Sequence, residues 1–259
     1  MRIPHSIARL LLVIGISVLT LSACVSDAER SRYSQPQPIP NYDVPAQVIY
    51  RIDDHRFISL ENYSDCNHGD TYYNDTKEGI RKKLGRNGIE NFQGRLINAD
   101  PTGKNIVIPS SQPPERACSD RGCSVSLIYS TDSGRTFHGM VYMKTFNPFN
   151  RSKDYTMAVN GDRLYVAEKI QDDAYVIEYP LVQGIDLTKP YPPGVRGSSF
   201  TASWRPTYLS GLRTPSGQER FTCDASIRSR RRTNTRANGE RIIGGLVAGT
   251  SASSKPGTR

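Results

Sequence analysis

The sequence predicts a mainly β domain over residues 47–223, built of antiparallel strands that form a sandwich, a barrel or a short propeller-like stack. Short segments rich in Val, Ile, Tyr and Phe alternate with turn sequences along this range. The turns recur at regular spacing, which is typical of antiparallel sandwiches and barrels. Helical periodicity is limited to one short segment. These three observations favour β structure for the folded part of the chain.

The strands are predicted from apolar segments that flank clear turns. Residues 47–52 and 55–60 lie on either side of Asp53-Asp54. Asn160-Gly161-Asp162 lies between two apolar runs and is the strongest short hairpin signal in the chain. The other predicted strands cover 95–98, 105–108, 124–129, 136–142, 156–159, 163–167 and 173–179.

The one predicted helix covers Lys77–Leu84. Asn74 or Asp75 is placed to cap its first turn, and Gly85 is placed to end it. This segment interrupts the strand pattern between the first strand pair and residues 95–98.

Residues 130–137 resemble the Asp-box, S-x-D-x-G-x-T-[WF], of sialidases and other β-propeller proteins. The matching residues are Ser130, Asp132, Gly134, Thr136 and Phe137. In this motif the carboxylate accepts hydrogen bonds from turn amides, the glycine adopts a positive φ, and the aromatic ring packs beneath the hairpin. The Asp-box therefore predicts a β-hairpin with a structural role.

The N-terminus resembles that of bacterial lipoproteins. Arg2 and Arg9 precede a short apolar run that ends in Leu21-Ser22-Ala23-Cys24, a lipobox-like sequence. This resemblance implies a signal peptide over residues 1–23 and acylation of Cys24, with palmitate among the usual chains. Several acyl chains would anchor the protein firmly. The residue directly after Cys24 is Val25 rather than Asp, and by the same resemblance this favours outer-membrane over inner-membrane placement. An ordinary signal peptide cut near Ala23 is the alternative.

Residues 24–46 are predicted to be an extended tether between the anchor and the domain. They carry four prolines, three of them within residues 36–40. Proline-rich segments are extended and semi-rigid. The tether would hold the folded domain away from the membrane.

Four cysteines remain beyond Cys24, and an even number in an oxidising compartment indicates two disulfides. Three pairings are possible. We favour Cys118 with Cys123, which closes a short polar loop, and Cys66 with Cys223, which joins the two ends of the domain. Zinc is the rival interpretation, but structural zinc sites usually use paired cysteine knuckles and the chain has one close pair. We therefore predict no metal site.

The positive charge is unevenly distributed. The formal net charge is +9, of which the first 23 residues contribute +2 and residues 224–259 contribute +6. The predicted domain is thus nearly neutral, which argues against a nucleic-acid-binding groove. Residues 224–259 are predicted to be a basic, disordered tail.

Known hydrolase signatures are missing from the sequence. It contains no G-x-S-x-G elbow, no H-E-x-x-H motif and no P-loop. His55 follows Asp53-Asp54, a combination that a hairpin turn explains better than a metal site or a triad. We therefore predict a protein that is not an enzyme and needs no cofactor.

Four segments read together resemble one family. They are residues 51–57, 72–77, 90–104 and 118–123. The family comprises immunity lipoproteins that protect bacteria from a lipase effector of the type VI secretion system, in the third lipase-immunity class. The similarity extends from about residue 47 to Cys223.

This resemblance implies a non-enzymatic inhibitor that binds a phospholipase in the periplasm. The partners would be the lipase effector and, through the lipid anchor, the membrane. The predicted partner-binding residues are Tyr72, Tyr73, Asp75, Asp172, Asp173 and Trp204. Two alternatives stay open: a structural or assembly lipoprotein of the envelope, suggested by the tether and tail, and a glycan hydrolase, suggested by the Asp-box.

Overall fold

The computed structural model describes residues 42–227. The predicted signal peptide, Cys24, most of the tether and all but the start of the basic tail lie outside the described residues. Within them the chain is mainly β, as predicted, with strands in antiparallel sheets, one short α-helix and no closed barrel. Residues 42–227 contain twelve strands, which form three separate sheets.

The N-terminal sheet is an antiparallel meander of four strands in sequence order. Its strands are β1 (Gln47–Arg51), β2 (Arg56–Asp65), β3 (His68–Asp75) and β4 (Ile80–Arg86). The predicted turn at Asp53-Asp54 joins β1 to β2. The Asp53 carboxylate shapes this turn by accepting hydrogen bonds from the backbone amides of His55 and Arg56.

The chain enters the C-terminal sheet with one strand, then forms the three-stranded sheet, and then returns to the C-terminal sheet. The three-stranded sheet contains β6 (Ile106–Pro109), β7 (Cys123–Ser130) and β8 (His138–Thr145), in that order. The C-terminal sheet has the order β12-β11-β10-β9-β5. Its strands are β5 (Arg95–Asn98), β9 (Tyr155–Asn160), β10 (Arg163–Ile170), β11 (Asp173–Pro180) and β12 (Ser198–Thr201). Here β5 pairs in parallel with β9, whereas the other pairings are antiparallel.

The predicted helix over Lys77–Leu84 is wrong, because β4 occupies this segment. Asp75 does accept hydrogen bonds from the amides of Lys77 and Glu78, as a helix cap would. The chain then reverses at Gly79, which has a φ of +65°, and Ile80 pairs with Asp75. The capping signal is therefore an Asx turn within a β-hairpin. The short helix, α1, covers Pro148–Ser152 instead.

One hydrophobic core serves all three sheets. Ile58 and Tyr73 from the N-terminal sheet, Leu127 from the three-stranded sheet, and Met157 and Leu164 from the C-terminal sheet belong to a single buried cluster. Each of these side chains is fully buried. The three sheets are therefore packed as one domain, and each sheet contributes side chains to the shared core.

Two disulfides have the pairing expected from the sequence. Cys66 pairs with Cys223, and Cys118 pairs with Cys123. The first attaches the segment that we call the C-terminal strap (residues 214–224) to the β2–β3 turn. The strap also hydrogen-bonds to β1, where the Thr222 amide donates to the Ile49 carbonyl (2.8 Å). The end of the domain is thus bonded to its beginning.

Candidate partner-binding surface

The residues predicted to bind a partner fall into two groups in the structure. Tyr72 lies half-buried on the outer face of the N-terminal sheet, with the Arg81 guanidinium 3.9 Å from its ring centroid. Tyr73, the next residue, points inward and is fully buried. Its ring packs edge-on against Phe137 of the Asp-box hairpin, 5.5 Å between centroids. The prediction for Tyr73 is therefore corrected: its ring is a core element that no partner can reach in the folded protein.

Asp75 is also buried, at 2% exposure. Its carboxylate is occupied by the β3–β4 turn amides and lies 2.9 Å from Nδ1 of His55. These bonds hold two neighbouring turns together, so Asp75 is corrected from a contact residue to a turn-forming residue.

The second group meets at one end of the C-terminal sheet. Asp172 is exposed in the two-residue turn between β10 and β11, where Ile170 pairs with Asp173. The Asp173 carboxylate accepts a hydrogen bond from the Ser203 amide (3.1 Å), which places it beside Trp204. Hydrogen bonds from the Ser203 side chain and from the Ala174 amide lower the pKa of Asp173 below its ordinary value. Asp172, Asp173 and Trp204 are thus brought together.

Trp204 is exposed, and its two chain neighbours are held by contacts within the domain. Its side chain is 81% exposed and belongs to the 3₁₀ helix Ala202–Trp204. The next residue, Arg205, lies over the Phe200 ring at 4.4 Å and pairs with Glu178 at 3.3 Å. These contacts fix the backbone on both sides of the indole ring. A large aromatic group that is exposed on a well-held backbone is a typical hot-spot residue of a protein interface.

Sequence reasoning missed two apolar neighbours of this group. Ile170 is 51% exposed and Tyr175 is 43% exposed. Tyr175 pairs with Thr201, three residues before Trp204. The alternation along β11, in which Val176 is fully buried, could have indicated that Tyr175 faces outward. We call Ile170, Asp172, Asp173, Tyr175 and Trp204 the Trp204 patch.

A groove of about 570 Å³ adjoins the Trp204 patch. Tyr175 belongs to both, and Ile177, Tyr191 and Val195 supply further apolar lining. Glu178 and Arg196 lie at its polar side. An apolar groove next to exposed aromatic rings has the composition of a protein–protein contact region.

A second cavity, of about 380 Å³, lies among the turns at the opposite end of β2 from the Cys66–Cys223 disulfide. Arg56 dominates it: the guanidinium donates to Asp53 Oδ2 (2.7 Å) and to the Gly103 carbonyl (2.8 Å). Burial alone would raise the pKa of Asp53, but the hydrogen bonds from Arg56 outweigh it and lower the pKa. The Arg56 guanidinium is therefore neutralised by Asp53, and its bonds connect the β1–β2 turn to the turn at Gly103.

The Asp53, Asp54 and His55 side chains have donor atoms within 4.8 Å of one another, a spacing that a metal ion could use. Both Asp53 oxygens are already engaged, Oδ1 by turn amides and Oδ2 by Arg56. The cluster therefore acts as part of the β1–β2 turn.

The Asp-box hairpin has the predicted structural geometry. Asp132 Oδ1 accepts from the Thr136 amide (2.8 Å), and Oδ2 accepts from the Thr136 hydroxyl (2.6 Å). Ser130 Oγ accepts from the Gly134 amide (2.8 Å). Gly134 has a φ of +81°, and a Cβ there would lie 2.2 Å from the Tyr73 ring. The motif thus fastens the β7–β8 hairpin onto the N-terminal sheet.

Among residues 42–227, no helix has both the length and the apolar character needed to cross a membrane.

Comparison with known proteins gives a match to a family model. The family model described as the T6SS Tli3 immunity protein matches residues 42–168. This range contains the N-terminal and three-stranded sheets, the Asp-box and most of β10. The Trp204 patch lies C-terminal to it. A search of curated proteins finds no match.

Proposed function

We propose that this chain, which belongs to the T6SS Tli3 immunity protein family, is a lipid-anchored, periplasm-facing lipoprotein that neutralises a phospholipase effector. The family match is the observation that carries the proposal, because it identifies the chain as an immunity protein against a type VI secretion effector. The lipase target and the lipid anchor are the finer parts of the proposal. They are supported by the family resemblance and by the lipobox-like sequence that ends at Cys24.

Two disulfides support an extracytoplasmic location. Disulfides persist in oxidising compartments such as the bacterial periplasm and are rare in the reducing cytosol. Cys66–Cys223 and Cys118–Cys123 use every cysteine of the described residues. An outer-membrane anchor would place the domain where an injected lipase meets its substrate.

Inhibition would be stoichiometric, with the immunity protein covering the active-site mouth or the lipid-facing surface of the lipase. A stable complex of this kind needs an interface of roughly 1,200–2,000 Å² with a few aromatic or arginine anchors. The Trp204 patch offers two exposed aromatic side chains, Trp204 and Tyr175, on backbone segments that are held by bonds within the chain. A preorganised backbone lowers the conformational entropy lost on binding, so the patch is suited to anchor the complex.

A protection assay tests the proposal. A phospholipase effector encoded beside this gene is directed to the periplasm of a susceptible strain, with and without the full-length chain. We expect the wild type to restore growth and to bind the lipase. The Cys24→Ala variant, exported without an acyl anchor, shows whether anchoring is needed. A folded, exported protein that neither binds nor rescues would refute the lipase assignment and favour an envelope-assembly role.

A further inference from the structure

The edges of the three sheets are treated unequally. A strand at a sheet edge presents unpaired backbone N–H and C=O groups that can pair with a strand from another chain. Folded proteins usually cover such edges, shorten them or place charges on them. The six edge strands described here are β1 and β4, β5 and β12, and β6 and β8.

The C-terminal strap covers two edges. The amide of Thr222 donates to the Ile49 carbonyl of β1 (2.8 Å), and that of Ser216 donates to the Ile52 carbonyl just after β1 (2.9 Å). On β5, the Leu96 amide donates to the Glu219 carbonyl (2.8 Å). The strap thus closes β1 and β5 against further pairing.

Three further edges are protected by other means. On β6, the Val107 amide donates to the Asn98 side chain (2.8 Å), and Val107 also accepts from it (3.0 Å). β12 has four residues and runs directly into a 3₁₀ helix. β4 carries four cationic side chains among its seven residues, Arg81, Lys82, Lys83 and Arg86. Such a density of Lys and Arg disfavours the addition of another strand.

β8 differs from all of these edges. It is eight residues long and pairs with β7 alone among the described elements. Lys144 is its one lysine or arginine. Val141 is 57% exposed, and Phe146, just beyond the strand, is 69% exposed. A long edge with little charge and an exposed apolar side chain is ready for pairing.

A bulge at Tyr142 does not close the β8 edge. The pairing register shifts there, since Val125 pairs with Met143 and Ser126 pairs with Val141. The Tyr142 hydroxyl donates to the Ser110 carbonyl (2.8 Å), and its ring packs against Tyr155. The bulge is therefore anchored inward, and regular strand geometry continues on both sides of it.

We propose that β8 is a docking edge that accepts an extended segment of the effector as an additional strand. This inference rests on the proposed function for the identity of the occupant. A row of alternating backbone donors and acceptors is satisfied by another strand, and main-chain bonds of this kind supply affinity in β-strand addition. The added segment would place an apolar side chain beside Val141, with the pairing extending over His138–Val141.

The docking edge is linked to the Trp204 patch through α1. This helix follows β8 directly and contacts it. Arg151 of α1 pairs with Glu168 of β10 at 2.5 Å, two residues before Ile170. α1 thus connects the end of β8 to β10, the strand that ends at Ile170 of the Trp204 patch. A partner that contacted both surfaces would gain backbone bonds from β8 and aromatic anchors from the Trp204 patch.

Hydrogen exchange tests the docking edge directly. The exported full-length Cys24→Ala variant is measured alone and with a catalytically inactive form of the neighbouring lipase effector. We expect β8 amides that face away from β7 to exchange at least tenfold more slowly in the complex, while β4 amides stay unchanged. A complex in which β8 amides gain no protection would overturn the inference and leave the proposed function standing.

Matched substitutions separate pairing from general packing. Val141→Lys gives β8 the charge that β4 carries and should weaken effector binding at least tenfold, with an unchanged melting temperature. Val48→Lys makes the same change at an exposed valine of the covered strand β1 and should leave affinity within twofold. Equal effects of the two variants would contradict a docking edge.

The identity of the occupant has its own test. If β8 gains protection when the concentration of this chain is raised without effector, the occupant is a second copy and the assignment to the effector is overturned. If the wild type does not bind the lipase effector at all, the proposed function itself is refuted.

Discussion

The Cys66–Cys223 disulfide should contribute more to stability than any other single covalent feature of the domain. It links residues 157 apart in sequence. In the chain-entropy model, a cross-link over such a loop restricts the unfolded chain by about 5 kcal/mol, whereas the five-residue separation of Cys118–Cys123 gives about 2 kcal/mol. Since small domains have unfolding free energies of about 5–15 kcal/mol, loss of the first disulfide removes a large share of the total.

The structural consequence would be concentrated in the C-terminal strap. Replacing Cys66 and Cys223 by serine frees the end of the strap, which holds the β1 and β5 edges through the Thr222 and Leu96 backbone bonds. We expect the amide of Leu96 to lose protection in hydrogen exchange well before the core strands do. Uncovered edges should also make the variant prone to self-association.

Urea unfolding of the exported protein measures the size of the effect, with the Cys118→Ser/Cys123→Ser variant as the matched control. The Cys66–Cys223 variant should lose about 3 kcal/mol more than the control, the difference between the two chain-entropy values. If the Cys66–Cys223 variant is too unstable to purify, the wild type can be treated with increasing concentrations of a thiol reductant. The stability lost as each disulfide opens is then compared. Equal losses in the two variants would refute the argument from loop length.

Three further predictions concern side chains rather than disulfides. Trp204→Ala should weaken effector binding at least tenfold with an unchanged melting temperature, while Val48→Ala, at an exposed site away from the patch, should not; calorimetry measures both, and equal effects would contradict an anchoring role. Gly134→Ala should lower the unfolding free energy by about 2–3 kcal/mol, because it combines a positive φ with a clash against the Tyr73 ring. Gly161→Ala, where φ is +56° and the space is open, should lose only about 1 kcal/mol; the reverse order in urea unfolding would refute the clash. Burial raises the pKa of Glu90 to about 7, so its contribution to stability is present at low pH and is lost as pH rises from about 4.5 to about 7. Unfolding free energy should therefore fall by roughly 2 kcal/mol between pH 5 and 8 and depend less on pH in Glu90→Gln, and an identical pH profile for the two proteins would exclude this group.

Local patterns were sufficient to predict the β class and most of the hairpins. Asn160-Gly161-Asp162 does join β9 to β10, and Asp53-Asp54 does join β1 to β2. The motif residues of the Asp-box make the bonds that their chemistry requires. In each case a short segment contains both the turn residues and the flanking strands, so no distant contact is needed to specify the structure.

The Cys66–Cys223 pairing was predicted correctly across 157 residues, but other predictions that depended on distant contacts were less successful. The segment 77–84 has the charges and cap of a helix, but pairing with β3 makes it β4. Tyr73 looks like its neighbour Tyr72 in sequence, yet strand alternation and the Asp-box turn bury one ring and leave the other at the surface. The docking edge on β8 follows from what covers the other five edges. The C-terminal strap covers two of them across more than 120 residues of sequence, and the Asn98 side chain covers a third from nine residues away.

The two ends of the domain lie next to each other in space. Gln47 and Asp224 bond to each other through two contacts, of 2.8 Å and 3.3 Å. Residues 42 and 227 lie only a few positions beyond these contacts, so a linker of about ten residues would span them. A circular permutant that joins these ends and opens at the exposed Gln171-Asp172 turn should therefore fold. The order in which the strands are synthesised is thus separable from the fold that they form.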